Sequence, residues 1–421
     1  MLNRRYKAYT LSNFRTLPQI RKLNKKEQFD IEIIGNILPF KVSNYVINDL
    51  INWDNVPDDP IYKIAFPQKH MLSKRHFYEM KEVLERTAEK REISRVANKI
   101  RMELNPHPAD QMENNVPIFK GKRLEGIQHK YKETVLLFPS QGQTCHSYCA
   151  YCFRWVQFVH LKEFKFSATN IEEIASYINS KPDITDILIT GGDPLVMNTS
   201  NLAKYIKPLL ELDVDNLRIG TKALSFWPSR FINGQDAYEL LSLFKDIRKC
   251  GKNLTIMANF NHPAELSTKT AQFAINKLLD HGIQIRTQSP ILKGVNDKAD
   301  IWKEMWNLQV KLGCIPYYMF IPRETGAQRF FSLPIYQALD IFKEACREVS
   351  GLAKTVRGPV MSTSDGKIEV MDYTSDKSDN RNLIFTFRYI QHRDPQKMGE
   401  VSTISKPKET LWFKKSDSFD D

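Results

Sequence analysis

From residue 134 onward, short β-branched apolar runs alternate with amphipathic stretches, a unit recurring roughly every 30 residues, the size of a βαβ element. The apolar runs are TVLLF (134–138), DILITGG (186–192), LRIG (217–220), NLTIMANF (253–260), GIQIRTQ (282–288) and IPYYMFI (315–321). Between and after them lie helix-like stretches at 171–180, 201–212, 237–250, 268–282, 298–313 and 334–351. Strands joined through helices pair in parallel, so the expected fold is α/β. Six units would make a partial (β/α)6 TIM-like barrel, and two unseen strands would complete a full one. Polar and Gly-containing residues follow most strand ends, where such barrels place their active sites.

Residues 1–130 read as a helical, irregular N-terminal extension, 131–352 as the barrel, and 353–421 as a polar C-terminal segment with one candidate strand, IFTFRYI (384–390). The longest helical run of the extension is 74–104, between a Pro- and Asp-containing turn (53–62) and a loop-like stretch (105–126). No run of about 20 apolar residues exists to span a bilayer. The N-terminus is basic but lacks the apolar core of a secretory signal, so the expected location is cytoplasmic.

The chain's net charge of +12 raises the question of nucleic acid. The excess is concentrated in the first 130 residues, which hold 24 Lys and Arg against 16 Asp and Glu. Because the acids are interspersed, the pattern is a solvated helical face and not a single-sign tail, and nucleic acid is not an expected partner.

Three of the six cysteines, Cys145, Cys149 and Cys152, fall within eight residues in QGQTCHSYCAYCFRWVQF (141–158), immediately after the first strand. The spacing suits no disulfide framework in a chain this long. It also lacks a fourth Cys to close a tetrahedral zinc site, although His146 or His160 could supply that ligand. Three thiolates on one loop fit three irons of a four-iron cluster, leaving one iron open.

This Cys-x3-Cys-x-aromatic-Cys motif, with Tyr151 as the aromatic residue, resembles the signature of the radical S-adenosylmethionine enzymes. The resemblance implies a [4Fe-4S] cluster whose open iron chelates the methionine moiety of S-adenosylmethionine. Reductive cleavage then gives a 5′-deoxyadenosyl radical. An electron donor such as flavodoxin or ferredoxin would reduce the cluster. Thr190, Gly191, Gly192 and Asp193, ending the second strand, resemble the family's turn that pairs with the methionine amino group. Further pieces at 54–67, 126–137, 217–230, 259–266, 288–297 and 316–320 narrow the resemblance to the lysine 2,3-aminomutase family.

That family binds pyridoxal phosphate as a lysine Schiff base and shifts an amino group from the α to the β carbon. The resemblance implies that Arg154 pairs the substrate carboxylate and Asp297 a distal ammonium, with capping of the following helix as the other role open to Asp297. It also implies that Gln288 lies near S-adenosylmethionine. Lys367 is the candidate Schiff-base lysine, but the glycine-rich run expected before it is replaced by MSTSDG (361–366). Lys130 and Lys222 stand where the family has phosphate-side arginines, and lysine does not fork onto a phosphate as arginine does. No cysteine follows Cys346, so the family's Cys-rich tail is missing. The implied function is therefore 1,2-amino migration on lysine or a related amino acid. The alternatives are radical chemistry without pyridoxal phosphate on another amine, amino acid or peptide, and, remotely, a non-catalytic cluster protein. A homo-oligomer is compatible with all three.

His262 could touch a ligand or serve as a structural hydrogen-bonding residue. Trp302 and Trp306, at i,i+4 spacing, read as one buried helix face. Cys250, Cys314 and Cys346 read as small buried apolar groups. No phosphate-binding P-loop, dinucleotide fingerprint or Ser-His-Asp pattern is present.

Overall fold

A computed structural model describes residues 5–108, 111–159 and 161–413. Its centre is one eleven-stranded sheet: β1 (Ile127–Tyr131), β2 (Thr134–Leu137), β3 (Asp186–Ile189), β4 (Asn216–Thr221), β5 (Asn253–Asn259), β6 (Gln284–Pro290), β7 (Ile315–Phe320), β8 (Arg357–Ser362), β9 (Gly366–Ser375), β10 (Asn382–His392) and β11 (Val401–Pro407). The strands lie side by side in chain order. β2 to β8 are parallel, while β1 and β9 to β11 are antiparallel to their neighbours. The six expected strands all form. The structure adds β1, the seventh parallel strand β8, and the antiparallel β9 and β11 on either side of β10, which contains the strand expected at 384–390, so the segment after residue 352 extends this same sheet. That segment departs from the single strand expected of it.

Helices follow the parallel strands: α1 (Ile171–Asn179), α2 (Thr199–Leu210), α3 (Gly234–Lys249), α4 (Lys269–Asp280), α5 (Ala299–Lys311) and α6 (Ile335–Arg347). Their starts are legible locally, because Asn170, Asn198 and Thr268 each accept a backbone N–H of the first turn. Trp302 and Trp306 are buried with ring centroids 5.3 Å apart, as their spacing predicts. Cys314 is buried and Cys346 half-buried, but Cys250 is exposed at the end of α3, against expectation.

Strand alternation divides the sheet chemically. In β4 the buried Leu217 and Ile219 face the helices, while Arg218 and Gly220 face a central cavity. In β6, Ile285 and Thr287 are buried, while Gln284, Arg286 and Gln288 face the cavity. Residues from the two ends of the parallel run meet. Lys130 Nζ on β1 donates to the carbonyls of Thr363, just after β8, and Gly366, the first residue of β9, the latter at 3.2 Å.

The N-terminal extension forms a second apolar layer around Ile31, Ile34, Val46, Ile64 and Phe77, completed by Trp155, Phe226, Leu292 and Phe331 from the sheet side. The helical run expected over 74–104 is two helices, Lys74–Arg86 and Lys90–Glu103. The break comes at Thr87, which is extended and whose hydroxyl accepts the Glu89 N–H at 3.0 Å. Among the described residues no helix is long and apolar enough to cross a membrane.

Candidate active site

A cavity of about 740 Å³ runs along the polar face of the sheet, with Cys145, Cys149 and Cys152 in its wall. The loop that carries them is shaped from outside by the N-terminal layer. Lys41 Nζ donates to the Thr144 hydroxyl and the Cys145 carbonyl, both at 3.0 Å. The Tyr148 and Ala150 N–H groups donate to the carbonyls of Lys41 and Ile64, both at 2.8 Å, and Tyr6 donates to the His146 carbonyl at 2.7 Å. A loop whose backbone is paired in this way presents its side chains in one direction.

The thiols fit an anionic cluster. Burial raises the pKa of all three, Cys152 to about 12; Cys149 and Cys152 further raise Cys145, and Cys149 raises Cys152. Each also feels one cation that favours its thiolate: Lys41 at Cys145, Lys222 at Cys149 and Arg154 at Cys152. Among the described residues, no three His, Cys, Asp or Glu side chains are arranged to hold a single metal ion. A four-iron cluster instead takes one thiolate at each of three irons. His146 is buried beside the Asp193 carboxylate, 3.5 Å away, and His160 lies outside the described residues.

The Thr190–Asp193 turn packs directly on this loop. The Thr190 N–H donates to the Leu137 carbonyl at 2.8 Å, and the Asp193 N–H to the Thr144 carbonyl at 2.8 Å. Gly191 has φ +135°, a region closed to most side chains. A Cβ on Gly192 would sit 2.3 Å from the Thr144 carbonyl oxygen and 2.6 Å from its nitrogen, both backbone atoms that cannot swing aside. Gly192→Ala must therefore push the turn and the cysteine loop apart. We expect reductive cleavage of S-adenosylmethionine to fall about 100-fold, since a displacement near 1 Å has that effect on a positioned reaction. Timed 5′-deoxyadenosine release measures it. The Asp193 carboxylate is occupied by the Thr221 hydroxyl at 2.8 Å and the Leu195 and Lys222 N–H groups at 3.0 and 2.9 Å, so the turn offers the cavity its backbone.

The other expected site residues separate. Tyr151, Arg154, Gln288, Lys130, Lys222 and Lys367 all line the cavity. Tyr151 donates its hydroxyl toward Asn259 and Asn261, at 2.9 and 2.6 Å. The Lys222 ammonium donates to the same two side chains and pairs with buried Glu265 at 2.6 Å, so it is committed within the protein. Lys130 is likewise committed to the two carbonyls described above. Burial, with Arg323 and Arg393 nearby, lowers its pKa to about 6. Asp297 does not reach the cavity. Its carboxylate accepts the Gly294 N–H at 2.8 Å in a local turn and does not cap α5, whose N-cap is Lys298. His262 is also outside the cavity; its N–H donates to Glu265 and its Nδ1 accepts the Ala264 N–H, a structural role.

The sequence reading missed Arg323, which follows β7 and lines the cavity. Its position two residues beyond an apolar strand end was the available signal, on the rule that such ends carry the site.

A family model described as a 4Fe-4S single cluster domain matches residues 114–219, the span holding the three thiols and the glycine turn. The three thiols, the glycine turn and this match define a radical S-adenosylmethionine enzyme, one that uses a [4Fe-4S] cluster and S-adenosylmethionine. A curated protein of Aquifex aeolicus named putative L-lysine 2,3-aminomutase is 33% identical over 395 residues, 94% of this chain and 92% of its own length. The chain belongs to the L-lysine 2,3-aminomutase family. The L-lysine 2,3-aminomutase of Clostridium subterminale is 25% identical over 97% of this chain and 88% of its own. Among solved structures, Streptococcus suis SuiB bound to its precursor peptide SuiA covers 62% of this chain and 52% of its own, with 13% identity and a TM-score of 0.38.

Proposed function

We propose that this enzyme moves an amino group between adjacent carbons of a small amino acid, with pyridoxal phosphate held at Lys367 inside a partial barrel. The observation that carries this reading is the placement of the Lys367 amine in the cavity that also holds the cluster thiols. Its Nζ donates to Gln391 at 2.8 Å and lies 4.6 Å from the centre of the Tyr318 ring. Burial first, then Arg218 and Arg357, lower its pKa to about 7. A lysine held near neutrality presents a free amine to a carbonyl, which an ordinary lysine does not at that pH.

With all three groups bound, the cluster and S-adenosylmethionine supply a carbon-centred radical and pyridoxal phosphate supplies an electron-delocalising ring. The protein's part is to position and to shield. Arg154, whose guanidinium stacks 4.4 Å over Phe138, is aimed to take the substrate carboxylate. Gln288 lines the wall at a break in the β6–β7 register and contributes a neutral polar contact. Tyr131, Tyr318 and Phe320 surround the Lys367 amine and keep water from it.

The experiment is borohydride reduction of protein purified with pyridoxal phosphate, followed by peptide mapping, with the label expected on Lys367. Uptake should also depend on pH. The free amine is the reactive form, so the rate of uptake should climb through about pH 7 and level off above it, far below an ordinary lysine. A second reading, radical chemistry without pyridoxal phosphate, is favoured by the commitment of Lys130 and Lys222 to protein partners. An unlabelled Lys367 would select it.

A further inference from the structure

Resting on that reading, we infer that Arg154 and Arg323 together form a subsite for two anionic groups, and that the substrate is an α-amino acid with an acidic side chain in place of lysine. The two guanidiniums share one aromatic platform. The Phe153 ring centre lies 5.0 Å from the Arg154 guanidinium and 5.7 Å from that of Arg323, which also lies 5.9 Å from Trp412. Neither guanidinium makes an ion pair with a described residue, and Arg323 Nε is buried with no hydrogen-bond partner. Two like charges on one cavity wall, one of them with a buried donor left unpartnered, make an arrangement that an anion completes. Burial lowers the pKa of Arg323, against the opposing effect of Glu324.

Among the described residues of the cavity wall, no carboxylate is free to answer a substrate ammonium. The two acids there are Asp186 and Asp193. Asp186 is held by Arg218 and by the Thr134 hydroxyl at 3.0 Å, and Asp193 by Thr221 and the Lys222 backbone. Asp297, expected to pair the ammonium of lysine, is bound to Gly294 outside the cavity. Asp365 acts on Lys130 and Glu324 on Arg323, but neither lines the cavity. Lysine would thus bury a second cation against unanswered guanidiniums, whereas glutamate or aspartate brings one carboxylate to each. The phosphate of pyridoxal phosphate is the other source of such an anion, and the experiment separates the two.

The test is equilibrium binding of radiolabelled glutamate, aspartate and lysine to the anaerobically reconstituted holoenzyme, with pyridoxal phosphate content read in the same samples. An acidic amino acid is expected to bind at least about tenfold more tightly than lysine. Arg323→Gln should weaken it about 10- to 100-fold, the effect of removing one partner of a charged hydrogen bond, and Arg323→Lys should restore part of the loss. Lysine binding as tightly as the acidic amino acids overturns the proposal, as does failure of all three to bind. Loss of pyridoxal phosphate in Arg323→Gln with unchanged amino acid affinity overturns it too, assigning Arg323 to the phosphate. Binding is read without turnover, so an unlabelled Lys367 would defeat the amino-migration reading while leaving this result to be judged on its own.

Discussion

Serine in place of any one of Cys145, Cys149 or Cys152 is expected to strip the protein of its cluster. Iron in the reconstituted variant should fall to that of untreated protein, and 5′-deoxyadenosine release under reduction should drop below detection. The thiolate is the ligand, and a serine hydroxyl stays protonated where a thiol ionises. The site sharpens this contrast. Burial raises the cost of any charge there, and Lys41, Lys222 and Arg154 stand beside the three sulfurs to offset it. A neutral hydroxyl leaves one iron unheld. Cys250→Ser, on an exposed helix end, serves as the control and should change neither readout. Full iron loading in any of the three cluster variants would refute the assignment.

The second large effect is expected at Lys367. Lys367→Ala should lower amino-migration activity by at least about a thousandfold, as removal of a covalent nucleophile does elsewhere. Iron content and reductive cleavage should be retained, because the cysteine loop is held by other contacts. The variant should also be no less stable than the parent. The folded-state pKa of Lys367 is lowered to about 7, so between about pH 7 and the ordinary lysine value the unfolded chain carries a proton the native protein has released. Stability contributed by this group therefore rises with pH across that window, and alanine removes the slope. Thermal melts at several pH values measure it; a variant that melts well below the parent at neutral pH would show that the amine is structurally required.

What was legible in the sequence followed from local regularity. Six strands and six helices of the repeating unit came through because each carries its own apolar period and several carry their own caps. Of the strands after residue 356 only the 384–390 core of β10 did. β9 is a long antiparallel ribbon whose faces are only partly buried, and β8 is a short run containing a proline and a glycine. The cysteine triplet and the glycine turn were readable because their residue types admit few other uses. Asp297 and Lys222 misled for the opposite reason. A carboxylate and an ammonium can always be satisfied by a nearby amide or acid, and only the fold shows that Gly294 and Glu265 do so. Arg323 went unseen because an arginine after a strand is common, while its buried, unpartnered Nε is a property of three dimensions.

The pinning of the cysteine loop by Lys41 and Ile64 bears on when iron can enter. Those residues leave the ribosome before the thiols do, yet the apolar layer they belong to is closed by Phe226, Leu292 and Phe331, which are made much later. The thiols of a nascent chain therefore emerge onto an unfinished template. Cluster insertion is expected to follow synthesis of the residues up to Phe331, when the layer that shapes the loop can close.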